Sequence, residues 1–181
     1  MHVTPDANAL AVALLSPGPH PDLLPEQQIF APFIGSWDLL VTWYGNDSRA
    51  VRRERGEWHF AWVLEGRAIQ DVWIVPPRAE RAGRGDLYEY GTSLRFFDPT
   101  LRAWRSTWFG PAQHAIHSFT AQRIGDEVVL ETTPGQGRRM RWVFTEVTQE
   151  RFVWRNYWDT GHGFTLTQDF QARRAGSMPS D

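Results

Sequence analysis

From Trp37 to Phe170, apolar and polar positions alternate in short runs, and the period is two. The first run sets Trp37, Leu39, Val41 and Trp43 on one face, with Ser36, Asp38 and Thr42 between them. Successive side chains of a strand point to opposite faces, so this pattern predicts a strand with one buried side. The run over residues 49–64 ends in the same way, with Trp58, Phe60, Trp62 and Leu64 set against Glu57, His59 and Ala61. Three further faces are predicted: Tyr90, Thr92, Leu94 and Phe96; Trp104, Ser106 and Trp108; Met140, Trp142 and Phe144. The last two strands align Phe152, Trp154, Asn156 and Trp158, then Phe164, Leu166, Gln168 and Phe170. Residues 67–75 form a run without clean parity.

Gly45-Asn46-Asp47, Glu65-Gly66, Asp98-Pro99, Gly125-Asp126 and Gly161-His162-Gly163 separate these runs with turn chemistry. About ten strands at hairpin spacing predict an all-β fold, a sandwich or barrel. An antiparallel up-and-down barrel is the simplest topology, and closure removes exposed edges. Short helices are expected ahead of it. Asp6 caps one that runs to Leu15 and is ended by Ser16-Pro17-Gly18-Pro19; a second spans Pro21 to Phe33 with Pro25 in its first turn. Gly35 turns the chain from that helix into the first strand. The expected organisation is a loosely held arm over residues 1–20, one barrel domain with its helix over 21–174, and a disordered tail over 175–181. Residues 76–86, rich in Pro, Gly and Arg, form the longest expected loop.

Composition narrows the function. A chain of 181 residues can bury a sizeable core as one domain. Aromatics make up 14% of it, with 10 Trp, and the 19 basic residues are all Arg. Without Lys there is no Schiff-base, pyridoxal or phosphate-loop lysine. Without Cys there is no disulfide, zinc finger or thiol nucleophile. A net charge of −2 gives no nucleic-acid footprint, and the clusters Arg49–Arg55 and Arg138–Arg141 read as solvated strand faces. The apolar run from Ala9 to Leu15 lacks a basic flank and is too short to span a bilayer, so membrane insertion and secretion are not expected and a cytoplasmic location is. The Arg bias fits a high-GC, bacterial genome.

Gly35-x-Trp37 opening the first strand, with Arg173-Arg174 ending the last, resembles the calycin barrels: lipocalins, fatty-acid-binding proteins and their ten-stranded relatives. The resemblance implies a Trp across the closed end with an Arg of the last strand packed on it, a cation–π contact. On parity Arg174, which shares a face with Phe170, matches better than Arg173. Tyr90-Gly91-Thr92 through Phe97-Asp98-Pro99, then Trp104 to Trp108, also looks like a bacterial family of lipocalin-like domains of unknown function. The nitrobindins, haem-binding relatives, carry an axial His in a late strand. Here Thr165 to Asp169 holds none and His162 sits in a turn, which argues against haem.

If parity holds, Trp58, Phe60, Trp62, Trp104, Trp108, Trp142 and Trp154 line one interior, joined by Trp43, Phe96, Phe144 and Trp158. They either fill the barrel or line a cavity for a small hydrophobic or aromatic ligand. Ser106, Asn156 and Gln168 share these faces and are the groups expected to orient it. The first reading is therefore non-catalytic binding of a small apolar or amphipathic molecule. The second is an isomerase, hydratase or cyclase that uses Asp71 with His114 or His117 as acid and base. Asp71 faces in if Ile69, Trp73 and Val75 do, and its pKa then rises unless an Arg pairs with it; Arg95 and Arg155 are the candidate partners, though parity puts both outward. The third is a filled barrel acting through its surface, as a homodimer. His114 and His117, three apart on one presumed strand, face opposite ways, so no metal site and no cofactor is expected.

Overall fold

The computed structural model describes residues 7–83, 89–133, 135 and 137–176. The Asp6 cap, the end of the expected loop from residue 84 and the tail from residue 177 lie outside these. Ten strands close into one antiparallel barrel: β1 (Gly35–Tyr44), β2 (Ala50–Val63), β3 (Ala68–Val75), β4 (Glu89–Asp98), β5 (Ala103–Gly110), β6 (Ala115–Ile124), β7 (Glu127–Thr132), β8 (Met140–Thr145), β9 (Arg151–Asp159) and β10 (Phe164–Arg174). Each strand pairs with the next. β1 pairs with β10, from Trp37 opposite Arg174 to Trp43 opposite Gln168, and so shuts the ring. The fold class read from the alternation is the one observed.

One short helix, α1 (Ala7–Leu14), precedes the barrel. No second helix forms over residues 21–33. Pro25 and Pro32 lack the N–H groups an α-helix needs, and only two 3-10 turns close there, Pro25–Gln27 and Ala31–Phe33. This segment plugs one end of the barrel with Leu23, Ile29, Phe30 and Phe33, all buried. Two indoles tether it. Trp104 Nε1 donates to the Gln27 carbonyl and Trp37 Nε1 to that of Phe33, each at 2.7 Å. Gly35 then turns into β1 at φ +121°, where a Cβ would lie 2.6 Å from an Arg174 guanidinium nitrogen. That guanidinium stacks 4.1 Å over the Trp37 ring and donates to the Ile34 and Gln149 carbonyls. Arg174, not Arg173, is thus the residue on the Trp.

Strand β4 departs from the expected parity. Tyr90 and Phe96 face outward, 40% and 45% exposed, while Ser93 and Arg95 are fully buried. Two packing demands set this phase. Gly91 must lie under Trp108, whose ring would come within 2.1 Å of a Cβ there. Arg95, turned inward, meets the carboxylate of Asp71. Phe96 is therefore no part of the interior. Trp43 and Trp158 sit at its open rim, only partly covered. Leu64 takes a left-handed turn conformation at φ 52° and is exposed rather than aligned with Trp62. A register shift between Leu166 and Gln168 breaks the alignment of β10, so Gln168 and Phe170 point in while Phe164 lies in an outer cleft with Tyr157. His114 is not on a strand; it ends the turn Pro111–Gln113 at φ 53°, exposed.

Candidate functional site

The barrel interior carries a polar tier midway along the lumen and another at the open mouth. The deeper tier spans three adjacent strands. Asp71 on β3 is opposite Ser93 on β4, and Arg95 on β4 is opposite Ser106 on β5. None of the four is more than 1% exposed. Arg95 forms an ion pair with Asp71, and the Ser93 backbone N–H points at the same carboxylate at 3.4 Å. Burial pushes the Asp71 carboxyl above its ordinary value, and the charge of Arg95 with the indole of Trp58 pulls it back. The Arg95 guanidinium also lies 5.0 Å from the Phe30 ring of the plug and 5.7 Å from Phe60.

This patch is not saturated. Arg95 Nε and Nη2, Ser93 Oγ and Ser106 Oγ have no hydrogen-bond partner among the described residues. The indole nitrogens of Trp73 and Trp154 are equally unpartnered. Buried polar groups are nearly always paired, so a cluster of unpartnered ones is unusual in an interior. Around it stands the aromatic wall. Ring centroids are 4.0 Å apart for Trp73 and Trp108, 5.2 Å for Trp142 and Trp154, and 4.4 Å for Trp154 and Phe170.

All ten side chains expected to meet a ligand are buried in this interior: Trp58, Phe60, Trp62, Trp104, Ser106, Trp108, Trp142, Trp154, Asn156 and Gln168. The three orienting candidates differ. Asn156 Oδ1 already accepts the Trp142 indole N–H at 3.1 Å, and Gln168 donates to Glu89; Ser106 alone is unengaged. The acid–base candidates are not brought together. Asp71 is held by Arg95, His114 is exposed at a turn, and neither His hydrogen-bonds to Asp71 among the described residues. His117 lies opposite Trp108 on β6, half-buried, and burial lowers its pKa. Arg155 points outward, as parity implies, and pairs with Glu146. No group of three or more potential metal ligands occurs among the described residues.

The mouth tier was not visible in the sequence because it shares the inverted phase of β4. Glu89 reaches across the lumen to the opposite wall. Its carboxylate accepts from Trp43 Nε1 on β1 at 3.2 Å and from Gln168 Nε2 on β10 at 3.0 Å. Arg52 lies 4.5 Å over the Trp43 ring and bonds to Glu54. This strap ties β4 to β1 and β10 over the open end.

Burial raises the Glu89 pKa, opposed by the bonds from Gln168 and Trp43 and by the charge of Arg52. The folded state therefore holds this proton more tightly than the unfolded chain. Its contribution to stability is full below the unfolded value and is lost as pH rises through the folded one. Glu89→Gln should match wild type in acid and exceed it in stability at neutral pH, as read by urea unfolding across that range. A gap that is widest in acid would show the opposite shift.

No family model matches the chain, and no curated protein does. Among solved structures, an S-type phycobiliprotein lyase, CPES from Guillardia theta, superposes with a TM-score of 0.55 at 14% identity, over 84% of this chain and 93% of that one. Together with the closed ten-stranded ring, this defines a calycin-like, lipocalin-type barrel. At that identity the likeness extends to the fold alone. No helix among the described residues is long and apolar enough to cross a membrane.

Proposed function

We propose that the barrel binds a small apolar or amphipathic molecule in its lumen and leaves it chemically unchanged. One observation carries this reading: an aromatic interior encloses a contiguous patch, Ser93, Arg95 and Ser106, whose hydrogen-bonding capacity is unmet. An aromatic wall supplies contact area, and a few convergent polar groups fix orientation, which is the usual composition of a small-molecule site. The pairing of Asp71 with Arg95 counts against the acid–base reading, since a carboxylate locked to a guanidinium is a poor proton acceptor.

Native mass spectrometry of the protein, purified without denaturation, should show a bound mass. Titration with lipids, haem and aromatic metabolites should give saturable Trp quenching for at least one class. An empty spectrum with no saturable change for any compound overturns the proposal. A second reading, association through the outer surface, is supported by a cleft of about 590 Å³ beside the plug, where Leu64 and Phe96 are exposed. Light scattering that shows a dimer, lost in Phe96→Ser, would favour it.

A further inference from the structure

We infer that a cleft at the closed end of the barrel, outside the lumen, takes a small amphipathic molecule with an oxyanion head. The cleft shares no residue with the polar patch of the lumen, so the inference stands apart from the reading above. Room, charge and an unfavourable strand pairing each point to it.

The cleft holds about 890 Å³, within the range of small-molecule sites. It lies between the plug, the β6–β7 turn and the β8–β9 turn. Its apolar side is formed by Ala31, Pro32 and Ile34 of the plug and Val147 of the β8–β9 turn, none of them fully buried. An alkyl or ring body laid there covers apolar surface that the fold leaves in contact with water.

The charge is unbalanced. Elsewhere on the outer surface an Arg commonly stands against a carboxylate, as Arg55 does with Glu80, Arg105 with Asp98 and Arg141 with Glu131. Arg123 and Arg151, which line the cleft, make no ion pair and no side-chain hydrogen bond among the described residues. Two carboxylates line it as well. Glu146 is taken by Arg155 at 3.2 Å, and no ion pair joins Asp126 to either free Arg. Arg174 also reaches the cleft, but the Ile34 and Gln149 carbonyls engage it.

The strand register adds a further sign. β9 and β10 set Arg151 directly opposite Arg173, both exposed on the outer face. Like charges directly opposite each other cost stability. Asp38, across from Arg173 on β1, makes no ion pair with it. A local rule broken with no compensation inside the fold is expected at a functional site. An oxyanion between these two guanidiniums turns the repulsion into charge-assisted hydrogen bonds, with Arg123 adding its charge from the far wall. The apolar body then runs from Arg151 over Val147 onto the plug.

Four probes separate the parts of this site: octyl phosphate, octanol, octylammonium and inorganic phosphate. Each is titrated by calorimetry against the full chain, Arg151→Gln and Arg123→Gln. Both Arg are exposed, so both variants should fold. Arg151→Gln, which relieves the opposed pair, should unfold at no lower urea concentration than wild type. Octyl phosphate should bind about tenfold tighter than any other probe and weaken with added salt. Arg151→Gln should weaken it about twofold to fivefold, as for one exposed charge contact, and leave octanol unchanged. If octanol or inorganic phosphate equals octyl phosphate, or octylammonium binds tightest, the class is wrong. Wild-type affinity in both Arg variants would put the molecule elsewhere, in the lumen, and overturn the cleft while leaving the lumen reading intact. If octyl phosphate fails to bind, the inference fails; phosphatidylglycerol vesicles that then pellet the protein would show that this face meets a membrane instead.

Discussion

Asp71→Ala should cost about 3–5 kcal/mol of folding stability, the range for removing one partner of a buried ion pair. Both side chains of the pair are 0% exposed, so solvent screening offers no relief to the Arg95 charge left behind. The remaining guanidinium cannot escape to water. β4 is locked in phase by Gly91 under Trp108 on one side and by the strand pairing of Arg95 with Ile69 and Ser106 on the other. Deprotonation is no outlet either, because a guanidinium stays charged throughout the accessible pH range. Guanidinium chloride unfolding followed by Trp emission measures the loss. The double variant Asp71→Leu with Arg95→Met should recover most of it, since apolar residues of similar volume replace buried ion pairs at little cost or with gain. A loss near that of an exposed ion pair, below about 1 kcal/mol, would show that Arg95 reaches solvent and that the interior is not dry at this level.

This pair also shows where the sequence was readable and where it was not. The barrel was legible because its inner face is so aromatic: Trp58, Trp104, Trp142 and Trp154 each mark the phase of a strand without ambiguity. β4 misled because its apolar residues, Tyr90, Leu94 and Phe96, alternate as cleanly as any buried face yet point outward. Periodicity reports that a strand has two unlike faces; it does not say which one is inside. The signals that did exist were local. Asp71, placed inward by Ile69 and Trp73, needed a cation from a neighbouring strand, and Arg95 was available on β4 only if that strand was inverted. Gly91, a weak strand former, pointed to a close approach by another group. With the phase reversed, Glu89, Ser93 and Arg95 enter the lumen together, so one inversion hid both polar tiers. Proline explains the missing helix. The apolar stripe over residues 21–33 is real, and it is buried, but as a plug of single turns rather than a helical face.

The second large effect is expected at the closed end. Trp37→Ala should destabilise the barrel by about 3–5 kcal/mol, as for other fully buried aromatics cut to Ala. Trp37 is 1% exposed and meets Phe152 edge-on at 4.7 Å, so deletion leaves a void beneath the plug that rigid strands cannot fill. Its indole N–H is also one of the two indole bonds that hold the plug, and Arg174 lies on its ring. Trp37→Phe keeps much of the volume and loses the bond to Phe33, so it should cost about 1–2 kcal/mol. A double-mutant cycle with Arg174→Ala isolates the stacking energy, expected at about 0.5–2 kcal/mol. Arg174 is also bonded to the Ile34 and Gln149 carbonyls, and the single Arg174→Ala should loosen the plug while Trp37 remains in place. Hydrogen exchange at Phe33 and Ile34 is the readout. Coupling near zero would mean that Arg174 serves its backbone carbonyls, those of Pro32, Ile34 and Gln149, rather than the ring, and that the Trp–Arg contact follows from the closure of β1 on β10 rather than helping to fix it.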